Sequence, residues 1–302
     1  CHARSEVVDQ DIGQERKAGD DDGRRQDDID QRENIYDPGG NGRHGTSSSV
    51  PPARSARAAI DEARDRVAEC LGCEPGDVVF TSGGTESDNT AVRGVVAVRG
   101  GRPLCSAAEH HAVLEPVEAA GGVVVRTDAS GAVDLECLEE ALRDAADVTL
   151  VSVMTVNNEV GTVTDLSSVA RIVRSVAPGA VLHTDAVQAA AYLPVDVQEL
   201  GVDMMSLGAH KFYGPKGVGA LYVRKGTSLI SHLTGGGQEF NLRAGTQNVP
   251  YIVGFAEALR LTHEEREERV AHVKPLRDKI IGTVLESIPD SKLTGDMEDR
   301  LP

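Results

Sequence analysis

Short apolar runs alternate with helical segments from about residue 53 onward, and this alternation limits the possible fold more than any other feature. The predicted strands are 77–81, 121–126, 148–154, 180–184, 202–207 and 217–223. The predicted helices are 53–70, a helix from Asp88, 134–144 with Asp134 as N-cap, and 165–176. Strands that alternate with helices form βαβ units. We therefore predict an α/β fold with a mostly parallel sheet flanked by helices.

The chain divides into three predicted segments. Residues 1–46 contain twelve acidic and seven basic side chains, few large apolar residues and no regular period, which is typical of a disordered segment. Residues 47–255 contain the predicted sheet. A charged helix or helix pair (252–285) leaves the sheet domain. In residues 256–302 we expect this linking helix and only the start of a small C-terminal α/β domain.

Composition excludes several classes of partner. The 302 residues have a formal net charge of −17, which argues against nucleic acid and anionic membranes as partners. No apolar run approaches the roughly 18 residues of a membrane-spanning helix, and no signal peptide opens the chain. Five cysteines in a chain of this length do not form a disulfide framework, so we expect a cytoplasmic protein.

The Cys70–Cys73 pair has the C-x-x-C spacing of some metal and redox sites. It closes an amphipathic helix, and neither a second pair nor a histidine cluster lies nearby in the sequence. We therefore favour a structural role for both cysteines and expect no metal site.

Three features follow predicted strands, and ligands bind outside the carboxyl ends of such strands. The first is the glycine turn 82–87, "SGGTES", whose N–H groups and threonine hydroxyl suit a phosphate, although such turns also occur without a ligand. Asp185 is the second; its carboxylate would either cap the next helix or meet a protonated ring nitrogen, with Gln188 on the same helical face.

Lys211 is the third feature. It lies in the tight loop "AHKFYGPKG" between two predicted core strands, where burial of the amine would favour its nucleophilic form. The alternative is a loop lysine that extends to water. A lysine amine, an acidic partner for a ring nitrogen and a phosphate cradle are the fixtures that pyridoxal 5'-phosphate (PLP) requires. We therefore predict PLP as the cofactor, attached to Lys211.

Six stretches resemble the cysteine desulfurases, within the class V aminotransferase group of fold-type I PLP enzymes. They are "FTSGGTESDN", "EHHAVLEP", "VNNEVGTV", "HTDAVQ", "AHKFYGPKGVGALYV" and "GGGQEFNLRAGTQNVPYIVG". The resemblance implies that residues 47–255 are the PLP-binding large domain. It implies PLP-dependent removal of sulfur from L-cysteine, with alanine and an enzyme persulfide as products, in a homodimer that passes sulfur to an acceptor protein.

The resemblance also implies roles for individual residues. Lys211 and His110 match catalytic residues, and His110 matches the histidine that stacks on the cofactor ring. Further positions match cofactor-binding residues: Gly84 and Thr85 at the phosphate, Asn158, Asp185 at the ring nitrogen, Gln188 at the phenolic oxygen, His210 at the phosphate, and Thr246, which reaches the partner subunit's phosphate.

Three departures from the family pattern qualify these expectations. Gly208 stands where many relatives have a serine, so one phosphate hydrogen bond is missing or comes from the backbone. The family's first strand is replaced by residues 1–46, which leaves a sheet edge open. None of Cys1, Cys70, Cys73, Cys105 and Cys137 matches the catalytic cysteine, so we expect the chain, incomplete at both ends, to be inactive as it stands.

Two alternatives stay open at this stage. The first keeps the fold and changes the substrate, as in a selenocysteine lyase or another class V lyase or aminotransferase. The second is a protein without enzymatic activity that retains the cofactor cleft, either as a remnant or to bind a partner.

Overall fold

A seven-stranded sheet with helices on both faces forms the centre of the molecule. The computed structural model describes residues 51–302, so the predicted disordered segment 1–46, with Cys1, lies outside the described residues. The strands are β1 (Val78–Thr81), β2 (Arg102–Ser106), β3 (Val123–Val125), β4 (Val148–Ser152), β5 (Val181–Asp185), β6 (Met204–Gly208) and β7 (Gly219–Val223).

The strands have the spatial order β1-β7-β6-β5-β4-β2-β3. Pairing is parallel from β3 through β2, β4 and β5 to β6, and β7 runs antiparallel to both of its neighbours. The predicted mostly parallel sheet is confirmed. A separate two-stranded ribbon is formed by β8 (Gly237–Gln238) and β9 (Arg243–Ala244).

The helices are α1 (Pro51–Leu71), α2 (Gly84–Arg99), α3 (His111–Ala119), α4 (Leu135–Asp144), α5 (Leu166–Val176), α6 (Val197–Leu200), α7 (Val249–Glu264) and α8 (Arg266–Ser287). Asp134 caps α4 by accepting from the N–H of Cys137 at 3.1 Å, as predicted. The charged segment from residue 252 onward, predicted as a helix or helix pair, forms the two helices α7 and α8. Helix α8 has no buried residue.

Both faces of the sheet are covered, so its strands are apolar on both sides. In β4, Leu150 packs into the core beneath α2, and its neighbour Val151 packs into the opposite core with α1 and α5. Alternate residues of a strand point to opposite faces, and for this reason a parallel sheet buried on both faces gives continuous apolar runs.

The sequence prediction missed β2 and α3 and started α2 four residues late. The stretch that forms β2, "RPLCS", contains a proline, which usually indicates an edge strand, yet β2 lies between β3 and β4. The pairing register shifts between Arg102 and Pro103, and this irregularity accommodates the residue without an N–H. Gly84, rather than Asp88, begins α2.

No helix within residues 51–302 is long and apolar enough to cross a membrane.

Phe255 of α7 links the sheet to the loop that contains Lys211. Its buried ring meets the rings of Phe80 and Phe212 edge-on, with centroids 6.0 and 5.2 Å apart. Phe212 directly follows Lys211, so the packing of α7 fixes the backbone next to that lysine.

We expect Phe255→Ala to lower the free energy of unfolding by about 3–5 kcal/mol, because truncation leaves a cavity beside the rings of Phe80 and Phe212. Val253→Ala on the same helix is the control, since Val253 is 37% exposed and should cost much less. Urea denaturation followed by circular dichroism measures both variants. Equal losses in the two variants would contradict this account of the core.

Candidate active site

Chemically reactive side chains collect at the carboxyl ends of the parallel strands. Asp185 is the last residue of β5, and Gly208 is the last residue of β6. The loop after β2 contains Glu109 and His110, and the turn between β1 and α2 contains Gly83 and Gly84. This edge of the sheet is where open α/β proteins bind ligands.

The turn between β1 and α2 forms a backbone cradle. Gly83 has φ 153°, a conformation that other residues adopt only rarely, and it precedes α2 without a side-chain cap. The first N–H groups of α2 therefore have no intrahelical acceptor and point outward, with the exposed Thr85 beside them. Glu86 stabilises the turn by accepting from the N–H of Ser82 at 2.8 Å.

Gly84 and Gly208 bring the backbones of two loops close together. A Cβ at Gly84 would lie 2.6 Å from Cγ2 of Val187, and a Cβ at Gly208 would lie 3.5 Å from the backbone nitrogen of Gly84. The close approach requires glycine at 84. The end of β6 and the Val187 side chain thus pack against the N-terminus of α2, whose free N–H groups suit a phosphate group.

Asp185 has a buried carboxyl group, and burial raises its pKa. The hydrogen bond from the N–H of Val187 to Oδ1, at 2.8 Å, lowers the pKa of Asp185 again, as do His110 and Lys211 through their charge. A cation held next to this carboxyl group would favour its ionised form further.

No helix begins directly after Asp185, so the predicted helix cap is wrong, while the pairing of Asp185 with a ring nitrogen stays a prediction. Residues 187–192 form turns, and Asp185 caps a turn through Val187. Gln188 lies half-buried in that turn, and its predicted place on a helical face is wrong. The alanine-rich stretch after Gln188 continues as tight turns because Ala189, Ala190 and Ala191 are buried against the sheet.

Lys211 lies in a 3₁₀-helical turn, Ala209–Phe212, between β6 and β7. The predicted loop between two core strands is confirmed, but the predicted burial of Lys211 is wrong. Its side chain is exposed, as is that of His210, because Ala209 and Phe212 occupy the two buried positions of the turn. Partial burial, Lys211 and Lys216 lower the pKa of His210.

His110 is the N-cap of α3 and is held in a defined orientation. Its Nδ1 accepts from the N–H of Ala112 at 3.1 Å. In this geometry the ring proton of a neutral His110 is on Nε2, which leaves that nitrogen for a ligand. His111, the neighbour, is exposed and lies 3.8 Å from Glu115 on the surface of α3.

Three buried polar residues beneath Asp185 were not predicted: Asp88, Glu109 and His183. Burial and the nearby Asp185 raise the pKa of Asp88, and burial also raises that of Glu109. Oε1 of Glu109 accepts from the N–H of Met154 at 2.7 Å. Oδ1 of Asp88 and Oε2 of Glu109 have no hydrogen-bond partner among the described residues.

His183 occupies the centre of this buried layer. Its ring nitrogens lie 2.8 Å from Oγ of Ser152 and 3.0 Å from Oγ of Ser206, and Nε2 lies 3.7 Å from Oδ1 of Asp88. Burial lowers the pKa of His183 to about 3, so the ring is neutral. The spacing of His183 and Asp185 by two residues on a strand could have revealed that both point to the same face.

Asn158 and Thr246 lie at the periphery of the site. Asn158 is exposed in the loop after β4, while its neighbour Asn157 holds that loop by donating to the carbonyl of Ala108 at 3.0 Å. Thr246 is exposed in the segment between β9 and α7. Within residues 51–302, neither Asn158 nor Thr246 forms a hydrogen bond with Lys211 or Asp185.

Three of the four described cysteines lie in helix α1, just after it, or in α4, and Cys105 is buried near the end of β2. Burial raises the pKa of the Cys70 thiol to about 11 and that of Cys73 to about 12, and it also raises the pKa of Cys105 and Cys137. Raised thiol pKa values disfavour the thiolate and agree with the structural role predicted for Cys70 and Cys73.

Residues 33–302 match the family model described as aminotransferase class-V. The chain belongs to this family. Over 86% of its length, the chain is 43% identical to cysteine desulfurase IscS of Dictyoglomus turgidum. Over 82% of its length, it is 42% identical to cysteine desulfurase IscS 1 of Archaeoglobus fulgidus. A solved NifS-like protein aligns with 84% of the chain at 39% identity and a TM-score of 0.79.

The chain spans about two thirds of the length of these relatives, 67% and 65% of the two desulfurases and 71% of the solved protein. The aminotransferase class-V family and its cysteine desulfurases are PLP-dependent. The likeness to the solved NifS-like protein confirms the predicted fold, that of a fold-type I large domain.

We expect Asp88→Asn to stabilise the protein at neutral pH. The pKa of Asp88 is raised in the folded protein, whereas an aspartate in the unfolded chain has a pKa of about 4. The contribution of Asp88 to stability is therefore complete below about pH 4, and it is lost as the pH rises and the unfolded chain ionises. Asparagine has no such loss, so the variant should gain about 1 kcal/mol or more over the parent at pH 7 and little near pH 4.

Urea denaturation at pH 4–8 measures this difference, with Asp65→Asn at an exposed position of α1 as the control. A gain that is the same at every pH, or a loss at pH 7, would show that Asp88 is ionised in the folded protein.

Proposed function

We propose that this chain binds PLP at the carboxyl edge of the sheet and belongs to an enzyme that removes sulfur from L-cysteine, with alanine as the second product. One observation carries this proposal: Lys211 and His110 lie close enough to the buried carboxyl group of Asp185 to lower its pKa, next to a glycine cradle. The relatives at 43% and 42% identity are cysteine desulfurases, which supports L-cysteine as the substrate.

The residues present fit PLP. The uncapped N-terminus of α2 would offer backbone N–H donors to the phosphate, together with Thr85 and His210. A Cβ at residue 84 would lie 2.6 Å from Cγ2 of Val187, so this turn requires glycine. In the proposed site, Gln188 would donate to the phenolic oxygen and Asn158 would contact the cofactor and the substrate. Thr246 would reach the phosphate of the partner subunit in a homodimer.

Asp185 would hold a proton on the pyridine nitrogen. PLP supplies an electron sink for the pair released at the substrate Cα, and a protonated ring nitrogen strengthens that sink. A carboxylate in a low-dielectric site interacts more strongly with a cationic nitrogen than one in water. The buried layer of Asp88, Glu109 and His183 excludes water from the far side of Asp185.

Lys211 and His110 would move protons. With PLP bound, the amine of Lys211 would hold the cofactor covalently and would be placed to accept and return a proton at the substrate Cα. Nε2 of His110 carries the ring proton because Nδ1 is occupied by the N–H of Ala112. His110 is therefore arranged to donate a proton to a substrate or cofactor atom above the cradle.

Sulfur transfer requires a thiolate that attacks the substrate sulfur, so that sulfur leaves as a persulfide and the substrate carbon takes a proton to become alanine. The four described cysteines do not fit this role, because burial raises their pKa values. We further propose a sulfur-acceptor protein as partner and the cytoplasm as location. Residues 47–255 form the proposed PLP-binding domain, and 256–302 form the start of a second domain.

We expect PLP to attach to Lys211. Borohydride reduction of the PLP-loaded protein followed by peptide mapping should place the label on Lys211, and Lys211→Ala should lose it. Lys216→Ala, an exposed lysine after the same turn, is the matched control and should keep the label. Label on another lysine in the parent protein would overturn the assignment.

We expect Asp185→Ala to retain PLP but to slow loss of the substrate Cα proton at least about tenfold, equivalent to about 1.4 kcal/mol of barrier. Truncation leaves the cradle and Lys211 in place and removes the partner of the ring nitrogen. Deuterium incorporation at Cα of L-alanine, followed by NMR in D₂O, measures this step without a sulfur acceptor. Unchanged incorporation would refute the role of Asp185.

A further inference from the structure

Strand β1 is an edge strand, and it leads directly into the cradle. Its only partner among the described strands is β7, so the groups on its other side need partners elsewhere. Any shift of β1 along this open edge moves Ser82, Gly83 and the start of α2. The cradle geometry therefore depends on what holds β1.

Two charged side chains satisfy the open edge. A guanidinium N–H of Arg64, in α1, donates to the carbonyl of Val78, and the carboxylate of Glu239 accepts from the N–H of Phe80 at 2.8 Å. Val78 and Phe80 are two residues apart, so these groups point to the same side of the strand. A neighbouring strand would pair with the same carbonyl and N–H, and the Arg64–Glu239 pair takes its place.

Arg64 and Glu239 also bind each other in the bidentate arrangement. Nη1 and Nη2 of Arg64 lie 2.9 Å from Oε2 and Oε1 of Glu239, and the two side chains are only 8% and 1% exposed. The guanidinium lies over the rings of Phe80 and Phe240, 4.8 and 5.0 Å from their centroids, and Gln247 donates to Glu239. Both carboxylate oxygens of Glu239 and both terminal nitrogens of Arg64 thus have hydrogen-bond partners, as a buried ion pair requires.

The backbone at Glu239 is strained. Glu239, Phe240 and Asn241 have φ values of 45°, 58° and 65°, in the left-handed region that non-glycine residues rarely occupy in succession. Such a segment persists only where its surroundings hold it. The ion pair with Arg64 supplies that restraint at the first of the three residues.

The same segment reaches the other side of the cradle through Arg243. Its Nε lies 3.0 Å from Oε1 of Glu86 in the first turn of α2, and Oε2 of Glu86 accepts from the N–H of Ser82. Residues 238–247 thus hold β1 before the cradle and α2 after it. Thr246 lies at the end of this segment.

We propose that the buried Arg64–Glu239 pair is a positioning device for the cofactor phosphate: it joins β1, the cradle and residues 238–247 into one unit. The proposal rests on the proposed function, since it assumes that the cradle binds the phosphate of PLP. Arg64 and Glu239 act through the backbone and do not contact the cofactor.

The test uses Glu239→Gln, with Arg57→Met as the matched control. Arg57 pairs with Asp61 on the exposed face of the same helix, at 2.9 Å with both side chains about half exposed. Hydrogen exchange of the Phe80 amide is measured without cofactor, and PLP affinity by absorbance titration. We expect Glu239→Gln to speed exchange at Phe80 and to weaken PLP binding, each at least about tenfold (about 1.4 kcal/mol), and Arg57→Met to change neither.

A double variant separates positioning from folding. Arg64→Met/Glu239→Leu removes both charges, which often leaves stability intact when a single removal does not. We expect this variant to keep a thermal midpoint within a few degrees of the parent, with fast exchange at Phe80 and weak PLP binding. Parent-like PLP affinity in either Glu239 variant, despite fast exchange at Phe80, would overturn the positioning role.

Unchanged hydrogen exchange at Phe80 in the Glu239 variants would show that the Arg64–Glu239 pair does not hold β1, whatever the PLP affinity. Failure of the parent protein to bind PLP would instead overturn the proposed function and the cofactor part of this proposal. Because exchange is measured without cofactor, the two failures are distinguishable.

Discussion

A carboxyl group buried at the end of a parallel strand, that of Asp185, is the constraint on which the site depends. Burial opposes its charge, and the N–H of Val187 donates to it at 2.8 Å. The turn that contains Lys211 follows β6 directly, and β6 pairs with the strand that ends in Asp185. This arrangement keeps a cationic group near the carboxyl group. A cofactor with a basic ring nitrogen would complete the pairing, so the site is built for a cation that the chain itself supplies only in part.

The phosphate end of the site is built mainly from backbone. Gly84 and Gly208 allow the turn after β1 and the end of β6 to approach closely, and side chains from outside the sheet hold the turn in place. The open edge of β1 is covered at Val78 and Phe80 by the Arg64–Glu239 pair. Stability at this edge and geometry at the cradle therefore depend on the same two residues.

Sequence patterns predicted the features that depend on local periodicity or local chemistry. The apolar runs of β4 to β7, the N-cap Asp134 and the loop position of Lys211 could all be read directly. Strand β2 was missed because Pro103 is compatible with an inner strand only through a register shift. The predicted burial of Lys211 was wrong because the buried positions of its turn belong to Ala209 and Phe212, and the helix expected after Asp185 is a series of turns. Asp88, Glu109 and His183 come from three separate elements, so their contact depends on tertiary structure.

The central claim is that the buried carboxylate of Asp185 keeps the cofactor ring nitrogen protonated. The most direct measurement is the ¹⁵N chemical shift of the pyridine nitrogen in the protein loaded with ¹⁵N-labelled PLP, followed between pH 6 and 9. The account predicts the shift of a protonated nitrogen across this range in the parent, and of an unprotonated nitrogen when Asp185 is replaced by alanine. An unprotonated ring nitrogen in the parent at pH 7 would contradict it.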